Sequence, residues 1–408
     1  MLKIIWKILA FSFCILLLTT CIDPYYPELG GYSSLLVVEG MVADAGEQAF
    51  VRLTRTFQNV DSVPYTVENA KVYITDESET KTYLYSSGEG NYTAGSGFKG
   101  ETGKIYTLHI ETTEGKKYVS DPCIMYPVPE IDSVYFNKYE GINETGGNVS
   151  NGIMIYLDTD ETNEEQTSLR WEFEETWKFN LPSPKRYNYI SEEEIIQLNN
   201  VREYCWKNSR SGDILTGILL PGQQSIRKVP MNFISPERSD RLTVQYSILV
   251  KQYSISPQEY NFWENMRQVS ESAGGIYDTQ PYAVVNNIHN VDDPSERVLG
   301  YFTVSALREK RIFITPGDLW DMNLSEYRSP CTEHIVSPET YFIPGSFGNP
   351  PTWDEINQMF MSTGGFVFVR PIYVGQSTLS RLVFATEECA DCQDTDISLR
   401  PDFWIDLP

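Results

Sequence analysis

Apolar and polar positions alternate with period two along much of this chain. Residues 35–39 form a short apolar run, and Phe50-Val51-Arg52-Leu53-Thr54-Arg55-Thr56 alternates after its first pair. Residues 70–75, 81–85, 105–111 and 117–119 continue the series, with turn chemistry at Asn91-Tyr92 and Glu114-Gly115-Lys116. Alternation puts one set of side chains on each face of a strand, and no helical period intervenes. Short strands at this spacing predict an antiparallel immunoglobulin-like or transthyretin-like β-sandwich, of about 100 residues in such folds, over 32–126.

Tyr126-Pro127-Val128-Pro129-Glu130 reads as a linker, because two prolines oppose both helix and central strand. Further strands are expected at 133–136, 152–157, 168–179, 242–253, 298–305, 311–314, 365–374 and 380–386. Arg170-Trp171-Glu172-Phe173-Glu174-Glu175-Thr176-Trp177 alternates aromatic and charged residues, the pattern of a sheet wet on one face. Three helices have recognisable starts. Ser256-Pro257-Gln258-Glu259 is a capping box with proline in the first turn, and Tyr260, Trp263, Met266 and Val269 recur down one face until Gly274-Gly275. Ser191-Glu192-Glu193-Glu194 predicts a shorter helix, and Thr352-Trp353-Asp354-Glu355 another before Ile356, Met359 and Phe360. The expected fold is mainly β. A sandwich is followed by a larger β-rich domain, 127–408, with a few inserted helices. No internal repeat is visible.

The first residues change where this body is expected to live. Lys3 and Lys7 precede an apolar stretch, residues 8–18, and then Leu18-Thr19-Thr20-Cys21. That stretch is about half the roughly 20 residues a membrane span needs, so 1–20 reads as a secretory signal. Its end resembles a lipobox in the relaxed form of Bacteroidota lipoproteins. The resemblance implies cleavage before Cys21 and acylation of that residue. Residues 21–31, with Pro24 and Pro27, then form a tether. The formal charge is −24, and loss of Lys3 and Lys7 lowers it by two more. Such an acidic chain is repelled by phosphate backbones, so no nucleic-acid partner is expected.

Of seven cysteines, Cys14 leaves with the signal and Cys21 takes lipid. Cys123, Cys205, Cys331, Cys389 and Cys392 are left, an odd number in a compartment that favours disulfides. Cys389-Ala390-Asp391-Cys392 can be two halves of different disulfides, half of a zinc site with Cys205 and Cys331, or a redox pair. Redox pairs open a helix after a strand, whereas Gln393-Asp394-Thr395-Asp396 follows here near the C-terminus. An oxidising compartment counts against zinc. Cys205, Cys331, Cys389 and Cys392 are therefore the candidate disulfide cysteines, with Cys123 the odd one, buried in the first module.

No catalytic, cofactor or metal residues are assigned. His109 fits an outward strand position, His289 a polar loop, and His334 lies three residues after Cys331; no pair has metal-ligand spacing. No nucleophile elbow or phosphate loop is present. Asp158-Thr159-Asp160-Glu161-Thr162-Asn163-Glu164-Glu165 opens like a calcium loop, but Asn163 and Leu169 stand where glycine and glutamate are required.

Several blocks together resemble the Bacteroidota lipoproteins of domain-of-unknown-function family 4249. They are Asp23-Pro24-Tyr25 after the lipobox, Leu36-Val37-Val38-Glu39-Gly40, Pro127-Val128-Pro129-Glu130-Ile131-Asp132 and Trp171-Glu172-Phe173. The longest is Tyr246-Ser247-Ile248-Leu249-Val250-Lys251-Gln252-Tyr253-Ser254, followed by Glu259-Tyr260 and Phe262-Trp263. Gly300-Tyr301-Phe302, Cys389-Ala390-Asp391-Cys392 and Pro401-Asp402-Phe403-Trp404 complete them. The resemblance implies an outer-membrane address, commonly beside TonB-dependent transporters, and supplies no catalytic residues. Ile22, rather than aspartate, after Cys21 agrees with outer-membrane delivery; that the protein faces the cell exterior is a separate expectation. The expectation is a non-enzymatic lipoprotein that captures or hands over a nutrient ligand for such a transporter. Its rivals are a structural or adhesive surface protein binding envelope or host polymers, and a hydrolase with an unrecognised site. The 246–263 block could face a partner, although its apolar periodicity suits a core better.

Overall fold

Burial alternates along the first strand, Leu36–Ala43, where Leu36, Val38 and Val42 are sealed from solvent while Val37, Glu39 and Met41 are not. This is a computed structural model, describing residues 34–46, 48–56, 65–142, 149–160, 167–220, 225–272, 286–341, 349–375, 377–392 and 400–407. The predicted signal, the tether and Cys21 lie outside the described residues. The chain is mainly β, in several sheets with a few helices.

Leu36–Ala43 pairs antiparallel with Phe50–Arg55 and parallel with Val298–Ser305. From Phe50–Arg55 the first sheet runs through Asn91–Ala94, Lys81–Gly88, Lys71–Asp76, Ile105–Glu111 and Lys117–Ser120 to Ile288–Asn290. Leu53, Ile74, Tyr92, Leu108 and Tyr118 fill its core. The predicted first module is thus completed by strands from far along the chain. The ends of the sheet meet at Asn287. Its side-chain Nδ2 donates to the Phe302 carbonyl at 2.8 Å, and its Oδ1 accepts the Phe302 N–H at 3.0 Å. A carboxamide here imitates a peptide group and satisfies backbone that burial would otherwise strand.

The segment from Val298 does not stop at the first sheet. After Ala306, which is buried, it continues as Leu307–Ile314 in a second sheet ordered Tyr204–Arg210, Thr167–Asn180, Gln245–Ile255, Leu307–Ile314, with Leu215–Leu219 also on Thr167–Asn180. Ser254 fixes this crossing. Its Oγ accepts the Ala306 N–H at 3.1 Å and donates to the Tyr126 carbonyl at 2.6 Å. The predicted linker is therefore docked: Gln252 also donates to the Pro129 carbonyl at 2.8 Å. A third sheet joins Ile131–Ile142, Val149–Thr159 and Val229–Ile234.

Helices form at Pro257–Ser272 and Trp353–Ser362, as their start signals predict. The helix expected from Ser191 does not form. Tyr187–Ser191 and Glu194–Gln197 pair as a hairpin instead, with Glu192-Glu193 between them. Tyr189 packs edge-on against Phe368 and donates to Asp354 at 2.6 Å, so tertiary contacts override the acidic helix start. The hairpin leans on a small lobe built from His334–Val336, Thr378–Thr386 and Phe366–Val374, whose core includes Phe360, Phe368 and Phe384. Two disulfides pin this lobe. Cys331 pairs with Cys389, and Cys392 pairs with Cys205 on the second sheet, so the Cys-x-x-Cys motif divides between two bridges. Cys123, the free cysteine among the described residues, is half-buried, and burial pushes its thiol pKa up to about 12.

Replacing Asn287 with leucine leaves the Phe302 N–H and carbonyl without these partners. At about 1–3 kcal/mol for each of the two stranded groups, the loss should reach about 2–6 kcal/mol. Urea denaturation of the wild type and Asn287→Leu checks this; an unchanged midpoint would mean that the side chain does not close the sheet.

Candidate functional site

The second sheet puts charge on a face that the sequence predicts to be wet. Trp171, Phe173, Trp177 and Phe179 alternate inward on Thr167–Asn180, while Arg170, Glu172 and Glu174 share the other face. Water does not cover that face freely. The helix Pro257–Ser272 and the outer face of Leu36–Ala43 stand over it and enclose a cleft of about 440 Å³.

The charged side of the cleft is paired internally. Arg170 forms an ion pair with Glu172 on its own strand. Lys251, opposite Glu172 in the sheet register, lies 2.8 Å from Glu174 and 4.0 Å from Glu309. Arg210 approaches Glu174 at 3.8 Å. Three cations thus share a lattice of carboxylates on neighbouring strands. Arg170 is also held by aromatic faces: its guanidinium carbon lies 4.9 Å from the Tyr253 ring centre and 4.6 Å from that of Trp263. A guanidinium is weakly hydrated and tolerates such stacking better than an ammonium. Its Nε is buried without a hydrogen-bond partner.

The opposing side is largely apolar, though Glu39 and Gln48 also line it. Met41 and Phe50 contribute from the first sheet, Trp263 and Met266 from the helix, and Tyr301 and Leu307 from the two-sheet segment. Phe262 anchors the helix by packing on Tyr301, with ring centres 4.8 Å apart. The cleft therefore has one face of paired charges and one of rings and thioethers that also carries Glu39. Pockets of this size and mixture suit small-molecule binding. Tyr246, Ile248 and Val250 are fully buried, so the first half of the 246–263 block is core, while Tyr253 and Trp263 line the cleft.

The other candidate residues lie elsewhere. His109 stacks on Tyr73 at 4.6 Å and shares a hydrogen bond with Thr75 on the outside of the first sheet. His289 falls on a short strand, Ile288–Asn290, rather than in a loop, 3.8 Å from Asp121. His334 packs against Phe366 in the small lobe. Asp158 accepts the Lys228 N–H at 2.6 Å and lies 3.5 Å from Arg227. The rest of the calcium-like run, 161–165, lies outside the described residues. Among the described residues no three His, Cys, Asp or Glu side chains gather as a metal site, and no helix is long and apolar enough to cross a membrane. Sequence reasoning missed the cleft itself. Its one visible signal was the row Arg170, Glu172, Glu174.

A family model described as Domain of unknown function (DUF4249) matches residues 22–311. All the cleft-lining residues named above fall inside that span, and most of the small lobe follows it. No curated protein matches the chain.

Behind the cleft, Glu259 is wholly buried. Ser256 caps the helix by accepting the Glu259 N–H at 3.0 Å, as predicted. The Glu259 carboxylate is engaged with residues elsewhere in the fold: it accepts from Trp263 Nε1 at 3.0 Å and Thr303 Oγ1 at 2.7 Å. Burial raises its pKa above the ordinary 4.5, against the lowering effect of Arg170 and of these two hydrogen bonds. The folded state then holds the proton more tightly than the unfolded chain. Its contribution to stability is complete below the ordinary glutamate value and is lost as pH rises through the raised one. Melting temperatures of wild type and Glu259→Gln, followed from about pH 4 to 8, should diverge in shape. The wild type should lose stability over that rise and the variant should lack this component. Parallel profiles would refute it.

Proposed function

The chain belongs to the family described as Domain of unknown function (DUF4249), and on that premise we propose a non-enzymatic, ligand-binding lipoprotein of the outer membrane, working beside a TonB-dependent transporter. The observation that carries the binding role is the cleft between the two sheets and the helix, with its opposed charged and apolar faces. A space built from three separate elements is held open by the fold rather than by a loop, which keeps the ordering cost of binding low.

The address rests on Leu18-Thr19-Thr20-Cys21, and the lineage on the relaxed form of that motif. Acyl chains on Cys21 contribute roughly 0.8 kcal/mol per buried methylene, so several chains hold the protein at the membrane stably. The tether would then leave the cleft free to meet solutes or a transporter. Disulfides at Cys205–Cys392 and Cys331–Cys389 suit an oxidising compartment.

Fractionation of cells expressing wild type and Cys21→Ala tests the anchor. The wild type should sediment with outer membrane and the variant should be released or retained as uncleaved precursor. Purification of the wild type in mild detergent should recover a TonB-dependent transporter. Equal recovery of both forms in the outer-membrane fraction would overturn lipid anchoring, and a preparation without any transporter would overturn the partnership.

A further inference from the structure

We propose that the cleft takes a neutral, hydroxyl-rich ligand, a short saccharide, an inference that rests on the binding role given above. The argument starts from charge balance. Arg170, Lys251 and Arg210 each already have a carboxylate partner within the cleft wall. An anionic ligand would have to displace Glu172 or Glu174 from a cation, which gains no net ion pair. Glu39, on the facing strand, has no ion-pair partner among the described residues, and with it the charged side chains lining the cleft are three carboxylates and three cations, so no net charge draws an ion in. A neutral ligand breaks no existing pair, and its hydroxyls can donate to Glu39.

What the paired groups still offer is hydrogen bonding of both kinds. Each carboxylate has lone pairs beyond the one its cation uses, and a guanidinium or ammonium has further N–H donors. Glu172 and Glu174 are partly exposed, with side-chain exposures of 39% and 30%, so their spare acceptors are open to a ligand. Spaced two residues apart on one strand, they lie on the same sheet face, roughly 7 Å apart, and so reach hydroxyls at separate positions of a ligand. Hydroxyls both donate and accept, which matches a mixed row of carboxylates and cations better than a pure acceptor or pure donor would.

The opposite side selects for the other half of a sugar. A pyranose presents C–H groups on its ring faces, and these pack against rings and thioethers. Met41, Phe50, Trp263 and Met266 supply such a surface, and Trp263, partly exposed, is the ring held beside Arg170. An apolar ligand would leave the charged row dry and unsatisfied, and a purely polar one would leave the aromatic side without contact. A molecule polar at its edge and apolar on its face satisfies both.

Isothermal titration of the full mature chain in detergent tests this with maltose, cellobiose and diacetylchitobiose as neutral probes. Digalacturonate serves as the anionic probe and the C-terminally amidated tripeptide Leu-Phe-Leu as the cationic one. At least one neutral disaccharide should bind saturably, and Glu172→Gln and Trp263→Ala should each weaken it by about tenfold or more. Trp320→Ala, a substitution of an exposed tryptophan away from the cleft, should leave binding unchanged. If Trp263→Ala fails to fold, Glu172→Gln alone decides. Binding of digalacturonate or the tripeptide without any neutral sugar would overturn the ligand class while keeping the binding role. Binding of a neutral sugar unaffected by Glu172→Gln would place it outside the cleft and overturn the proposal. No binding by any probe would overturn both.

Discussion

The parallel pairing of Leu36–Ala43 with Val298–Ser305 is the contact on which the rest of the molecule depends. Eight residues of the N-terminal strand align with eight from a segment that follows most of the second sheet in the sequence. Gly300 shows how close the two strands run. Its φ is +93°, and a Cβ there would come within 1.9 Å of the Val38 carbonyl oxygen, so only glycine fits. The same segment turns at Ala306 and enters the second sheet. Because one stretch of chain belongs to both sheets, their relative placement is fixed by covalent continuity as well as packing. Contacts this distant in sequence carry a high loop-closure cost and are slow to form.

The cleft is a product of that geometry. It occupies the angle between the sheets, and the segment that makes the angle also supplies Tyr301, Thr303 and Leu307 to its wall. The helix is set against it by Glu259, whose buried carboxylate reaches Thr303 on the shared segment and Trp263 on its own next turn. Trp263 in turn lies beside Arg170 on the second sheet. Helix, first sheet and second sheet are thus connected by a single chain of polar and aromatic contacts that borders the ligand space.

Much of the β framework was legible because period-two alternation is a local signal. Phe50–Arg55, Ile105–Glu111, Thr167–Asn180 and Gln245–Ile255 all announce themselves this way. So did the helix at Pro257, through Ser256 and the proline after it. Short edge strands did not. Leu215–Leu219 and Val229–Ile234 contain glycine or proline and few alternating pairs, and only their neighbours make them strands. Ser191-Glu192-Glu193-Glu194 misled because an acidic helix start and a hairpin turn use the same residues, and Tyr189 decides between them from another part of the fold. The four paired cysteines could be named from composition and compartment, but their partners depend on which lobes meet. The cleft was least legible. Arg170, Glu172 and Glu174 carry the same pattern on an open sheet as under a roof, and the roof comes from residues about ninety positions or more away.

The position of the first strand also has a mechanical meaning. Leu36–Ala43 is flanked on both sides, antiparallel by Phe50–Arg55 and parallel by Val298–Ser305. A pull arriving from the N-terminal side acts along this strand. It loads the ladder bonds on both flanks in shear, together, rather than peeling them one at a time. Tension would reach the second sheet through Ala306 and leave the disulfide-pinned lobe aside. A chain hung from its N-terminus on a moving membrane would meet that force at its best-braced strand.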